Sequence, residues 1–238
     1  MSRRYGFSSI FLVSALLCLA SCTAGRVPVS GFRPADPIFT AAETAYRSGQ
    51  YQEAVHAFQS FLALSPADPR IPDARLRLGQ SYFALKDIKR SMEELNRVVR
   101  EFPKSDQTEQ ARLLISRIHY TQGNPDDSLA ELRILLRESR NRDVAAQAYL
   151  LRGNIFVERK DTALGLSQWQ KSLSMTDEQE EIRRVYREMV RIMEKNTVSE
   201  KTLIQIVREA PREFPADLSL FVLGKRTWEG GDPIILSE

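Results

Sequence analysis

Soft metal ligands are scarce in this chain: two Cys and two His in 238 residues cannot supply the four that a structural zinc site gathers in one place. Charge of one sign is also missing. The 34 Lys and Arg nearly cancel 31 Asp and Glu, and a formal +3 is too small to mark a nucleic-acid binder. No GxxxxGKS/T, GxGxxG, HExxH or GxSxG stretch occurs. Phosphate cradling, dinucleotide binding, zinc peptidase and serine hydrolase chemistry therefore have no motif to rest on. These absences predict a chain with no metal, no cofactor and no catalytic centre. What is present is 42% hydrophobic residues, enough for a packed core in one or two domains.

The N-terminus carries the first positive signal. Ser2-Arg3-Arg4-Tyr5 is basic, and Phe7 to Ala20 is a mostly apolar stretch shorter than the roughly 20 residues a spanning helix needs. This pattern predicts a signal peptide over residues 1–21. Leu19-Ala20-Ser21-Cys22 follows and resembles the lipobox of bacterial lipoproteins. The resemblance implies cleavage before Cys22 and acylation of that residue, with several acyl chains making attachment effectively permanent. Cys18 would leave with the leader, so no disulfide can form within the mature chain. Thr23 stands where, in this family, an Asp favours retention at the inner membrane, so the expected location is the outer membrane, lipid-anchored on its periplasmic face. Residues 22–37 read as the acylated Cys and a flexible tether, since 23–37 hold three Pro and two Gly without periodicity. Fully extended, such a segment reaches roughly 50 Å.

Internal repetition is the second signal. Windows starting at Ala35, Pro72, Glu109 and Ala146 lie 37 residues apart and agree column by column. Position eight is small throughout, as Ala42, Gly79, Ser116 and Gly153, and position twenty holds Ala54, Ser91, Ser128 and Gly165. Position twenty-four is large: Phe58, Leu95, Leu132 and Trp169. Ser48-Gly49-Gln50, Lys86-Asp87-Ile88 and Gln122-Gly123-Asn124-Pro125 fall where a helix pair must reverse. This pattern resembles the tetratricopeptide repeat, in which small residues let two antiparallel helices approach and large ones fill the gap. The resemblance implies an all-α, right-handed superhelical solenoid of helix pairs, with four repeats over 38–180. Relative to the usual 34 residues, the three added ones are expected to lengthen the loops between repeats, as in Ala67 to Pro72 and Lys104 to Gln107. Residues 181–215 read as a degenerate fifth pair, built from an amphipathic stretch, Glu180 to Lys195, and a second one capped by Ser199. Residues 216–238 read as a terminal helix and tail. Glu131 is expected on an exposed face.

The resemblance also implies where a partner would bind. First helices line the concave side of such a superhelix, which points to positions five, nine, twelve and thirteen: Phe39, Glu43, Tyr46 and Arg47; Leu76, Gln80, Phe83 and Ala84; Leu113, Arg117, Tyr120 and Thr121; Leu150, Asn154, Val157 and Glu158. The row Tyr46, Phe83, Tyr120 suits a peptide groove or, alternatively, packing between repeats. His56 and His119 fall in different repeats, and Glu138-Ser139 lacks the rest of the lytic-transglycosylase motif. Repeat endings such as Val98-Val99-Arg100-Glu101-Phe102-Pro103 resemble those of periplasmic envelope lipoproteins: BamD-like assembly subunits, CpoB-like Tol-associated proteins and the N-terminal part of penicillin-binding-protein activators. What this implies is a scaffold for envelope proteins or extended peptide segments, foremost in outer-membrane-protein assembly. Regulation of peptidoglycan synthesis, or service as a pilus-assembly pilotin, stands as the alternative.

Overall fold

A computed structural model describes residues 36–194 together with 199, 201 and 204. Among the described residues there are nine α-helices and no strand: α1 (Asp36–Arg47), α2 (Tyr51–Leu64), α3 (Ile71–Ala84), α4 (Ile88–Glu101), α5 (Asp106–Thr121), α6 (Pro125–Glu138), α7 (Arg142–Glu158), α8 (Thr162–Leu173) and α9 (Gln179–Glu194). First helices end at Arg47, Ala84, Thr121 and Glu158, and second helices begin at Tyr51, Ile88, Pro125 and Thr162, each 37 residues after the one before. The fold is an all-α solenoid of helix pairs. The signal-peptide segment, the tether as far as residue 35, most of the second helix of the fifth pair and the C-terminal tail lie outside the described residues.

One local device builds each of the four hairpins among the described residues. The amides of Gln50, Asp87, Asn124 and Asp161 each donate at 2.9 Å to the carbonyl five residues back, on Ala45, Tyr82, His119 and Phe156. That bond closes a first helix in the Schellman manner and requires a left-handed residue just before it. Gly49 and Gly123 hold that place at φ 75° and 79°, and Lys86 and Lys160 hold it at 65°. The residue after it then opens the second helix. Asp87 Oδ1 accepts from the Arg90 amide at 3.0 Å, and Asp161 Oδ1 from the Leu164 amide at 3.4 Å. The Arg90 amide, followed by its guanidinium, holds the Asp87 carboxyl below the usual carboxylate range.

The small columns set how closely the two helices of a pair approach. Ala42, Ala54, Ser91, Ser116 and Ser128 are fully buried, and the Ser91 hydroxyl crosses to the Gly79 carbonyl at 2.8 Å. Phe58, Leu95, Leu132 and Trp169 fill the space opposite, at 3% exposure or less. Phe61, Val98 and Leu135 face the next first helix, so each repeat shares its core with its successor. Along the seam within a pair, Arg75 reaches Glu94 at 2.8 Å and Arg112 reaches Glu131 at 2.7 Å. Glu131 is therefore an engaged, half-buried residue and not the exposed site expected of it.

The added residues are divided differently from the expectation. They extend the first helices at their starts, because α3, α5 and α7 begin at Ile71, Asp106 and Arg142. Helix-start chemistry accounts for this: Pro72 lies in the first turn of α3, Asp106 and Glu109 in that of α5, and the Asn141 side chain accepts from the amides of Asp143 and Val144. Asp36 and Pro37, assigned to the tether, open α1 for the same reason.

Candidate interaction face

First helices touch one another in series, α1 with α3, α3 with α5 and α5 with α7, whereas second helices make no comparable contacts with one another among the described residues. The stack is therefore tighter on the first-helix side, and that side is the inner face.

The residues expected there are placed as follows. Phe39 packs into the first core, with its ring centroid 5.0 Å from that of Phe61 and 6.1 Å from that of Phe58, and the Arg70 guanidinium covers it at 4.7 Å. Glu43 accepts from Arg47 at 3.2 Å and from Arg77 of the next repeat at 3.3 Å. Arg77 also lies over the Tyr46 ring at 4.9 Å and donates to Gln80 at 3.1 Å. Phe83 is half-buried against the core shared by α3, α4 and α5. Arg117 donates to Gln147 at 2.7 Å, and Tyr120 donates its hydroxyl to Glu158. Asn154 accepts from the Trp169 indole at 2.9 Å, and Val157 packs against the core shared by α8 and α9. Leu76 and Leu113 are core residues at 2% and 5% exposure. The aromatic row is half-buried throughout: its rings pack between repeats and leave part of their surface open.

Position counting missed Arg77 and Gln147, which join neighbouring repeats from positions six and two. The usable signal was a long polar side chain on a first helix, one repeat away from an acid or amide.

Residues 39–106 and 113–173, more than half of the chain, match the tetratricopeptide repeat family. The chain belongs to that family. No curated protein matches it. Tetratricopeptide repeat bodies are typically non-catalytic scaffolds that bind peptides or proteins.

In this tetratricopeptide repeat chain the inner face has distinct electrostatics. Although Arg117 is an exposed residue, the helices around it strip enough water to push its guanidinium below the ordinary range, and Glu181 and Arg184 of α9 act on it with opposite signs. Burial, reinforced by Glu158, pushes the Tyr120 hydroxyl up to about 12. His56 is exposed on α2, and His119 is half-buried with Nδ1 unpartnered. The Ser139 hydroxyl is tied to Glu109 at 2.5 Å, and Glu138 pairs with Arg137. Among the described residues no helix is long and apolar enough to cross a membrane, and no group of His, Cys, Asp or Glu is placed to hold a metal.

Proposed function

We propose that this chain is an outer-membrane lipoprotein, anchored through acylated Cys22, whose tetratricopeptide body faces the periplasm and holds an extended segment of an envelope protein during outer-membrane-protein assembly. The observation that carries the reading is the lipobox Leu19-Ala20-Ser21-Cys22 placed a short stretch ahead of a helix-pair scaffold. Its inner face supports it. Half-buried aromatics at Tyr46, Phe83 and Tyr120 alternate with Glu43, Gln80 and Arg117, a mixture suited to a peptide with both apolar and charged side chains.

The test has two stages. Mass spectrometry of the membrane-extracted protein should show loss of residues 1–21 and added acyl mass at Cys22, and Cys22→Ala should release the body from membranes. A photo-crosslinker at Tyr120 should then capture an outer-membrane assembly component in intact envelopes. A soluble, unmodified mature chain would sink the anchor. Capture of peptidoglycan synthases alone would move the protein to the alternative, regulation of cell-wall synthesis.

A further inference from the structure

Each of the first three repeats closes onto its successor through the same position of its second helix. Phe61, Val98 and Leu135 stand there, 0%, 0% and 1% exposed, and pack against α3, α5 and α7 respectively. In the fourth repeat, 37 residues after Leu135, that position is Ser172. It is fully buried and its hydroxyl has no hydrogen-bond partner. The joint that should be sealed by a large apolar side chain thus carries a hydroxyl that has lost water and gained nothing in return.

What α9 offers in contact is Val185, Met189 and Met193, packed on Leu166 and Trp169. Unbranched thioether side chains tolerate repacking better than the Phe, Val and Leu of the other joints.

We propose that the α8–α9 joint is a release point built into the solenoid: α9 detaches as a unit while α1 to α8 stay folded. Detachment uncovers Leu166 and Trp169 and so lengthens the apolar surface open to a partner. Repeat proteins allow this because each unit is held only by its neighbours, and opening can be confined to the weakest joint. That α9 opens rests on the joint alone. Only its consequence for a partner rests on the function proposed above.

Hydrogen exchange followed by mass spectrometry on the full chain tests the release. Peptides from α9 are expected to exchange at least tenfold faster than peptides from α7. Ser172→Ala removes the orphaned hydroxyl without adding volume and is expected to slow exchange in α9 at least threefold, leaving α1 to α6 unchanged. Ser172→Val, which restores an apolar side chain, is expected to slow it further. Ser128→Ala removes a comparable buried, unpartnered hydroxyl inside the third repeat and should leave α9 as it was. Protection of α9 equal to that of α7, or a Ser172→Ala chain whose α9 exchanges at the original rate, overturns the proposal. Should Ser172→Val fail to fold, the alanine variant decides alone. Exchange depends neither on acylation nor on a partner, so failure here and failure of the proposed function are separable.

Discussion

Gly153 and Trp169 meet through the space a side chain would take: a Cβ on Gly153 would lie 2.2 Å from the indole Cδ1 and 2.5 Å from Nε1. The indole is further held by its hydrogen bond to Asn154 at 2.9 Å, so it cannot simply swing aside. Gly153→Ala is expected to cost about 2 kcal/mol or more. Gly79→Ala meets Cδ2 and Cγ of Leu95, both at 3.0 Å, and the Ser91 carbonyl at 3.5 Å, a milder clash than at Gly153, and the helix gains from losing a glycine; it should stay within about 1 kcal/mol of the original chain. Urea melts of the two variants check the contrast, and equal losses would contradict it.

The hairpin turns offer a test that needs no core residue. Lys86 and Lys160 adopt the left-handed conformation that Gly49 and Gly123 adopt at the same place. Lys86→Gly should be neutral or should stabilise by up to about 1 kcal/mol, because relief of backbone strain competes with greater freedom in the unfolded chain. Gly123→Ala, which has open space around it but the wrong φ, should destabilise by about 1 kcal/mol. Thermal denaturation of both, side by side, reads the difference.

Glu109 fastens the third repeat to the loop before the fourth. Its carboxylate accepts from the Ser139 hydroxyl at 2.5 Å and from the amides of Arg140 and Asn141 at 2.9 and 3.2 Å. Glu109→Ala should cost about 2 kcal/mol and open residues 139–141 to limited proteolysis before any other inter-repeat loop. Cleavage appearing first elsewhere would argue that the loop is held by its neighbours and not by Glu109.

Alkaline titration of the original chain against Tyr120→Phe reads Tyr120 beside Tyr186, whose hydroxyl burial also pushes up. The Tyr120 hydroxyl is pushed up to about 12 from an ordinary value near 10, so the folded chain binds this proton more tightly than the unfolded chain does. The resulting stability is fully present below about pH 10 and is lost as the pH rises through about 12. Tyr120→Phe should therefore flatten the fall in stability across that window, and should remove one late tyrosinate from the ultraviolet titration. An unchanged slope would show that burial and Glu158 do not raise this hydroxyl in solution.

The hairpins were the most legible part of the sequence. Small residues at eight and twenty, with turn residues between them, fix where one helix must stop and the next begin, and both are local requirements. The starts of the first helices were less legible, because Ile71 and Asp106 lie in segments that could serve as loop or as first turn, and only packing on the previous repeat decides. The inner face was legible as a set of helices and much less so as a set of side chains. Leu76 and Leu113 share a column with Phe39 and Leu150, yet the following repeat covers them, and a column cannot report how its neighbour twists across it. Asn154 was read as a partner-facing amide, and it serves Trp169 within its own repeat. The fourth joint was present in the letters too, as Ser172 in a column of Phe61, Val98 and Leu135, three positions after the compared column of Phe58, Leu95, Leu132 and Trp169.

Gln50, Asp87, Asn124 and Asp161 each end one helix and begin the next, which leaves a three-residue turn in each of the four described hairpins. The connections between repeats obey no such rule and run over residues 65–70, 102–105, 139–141 and 174–178. The chain thus alternates a gauge-fixed corner with an adjustable one. Insertions and deletions tolerated by relatives should collect only at the adjustable corners, where they alter the pitch of the superhelix and so the spacing of whatever it grips, while the angle inside each helix pair passes unchanged from one protein to the next.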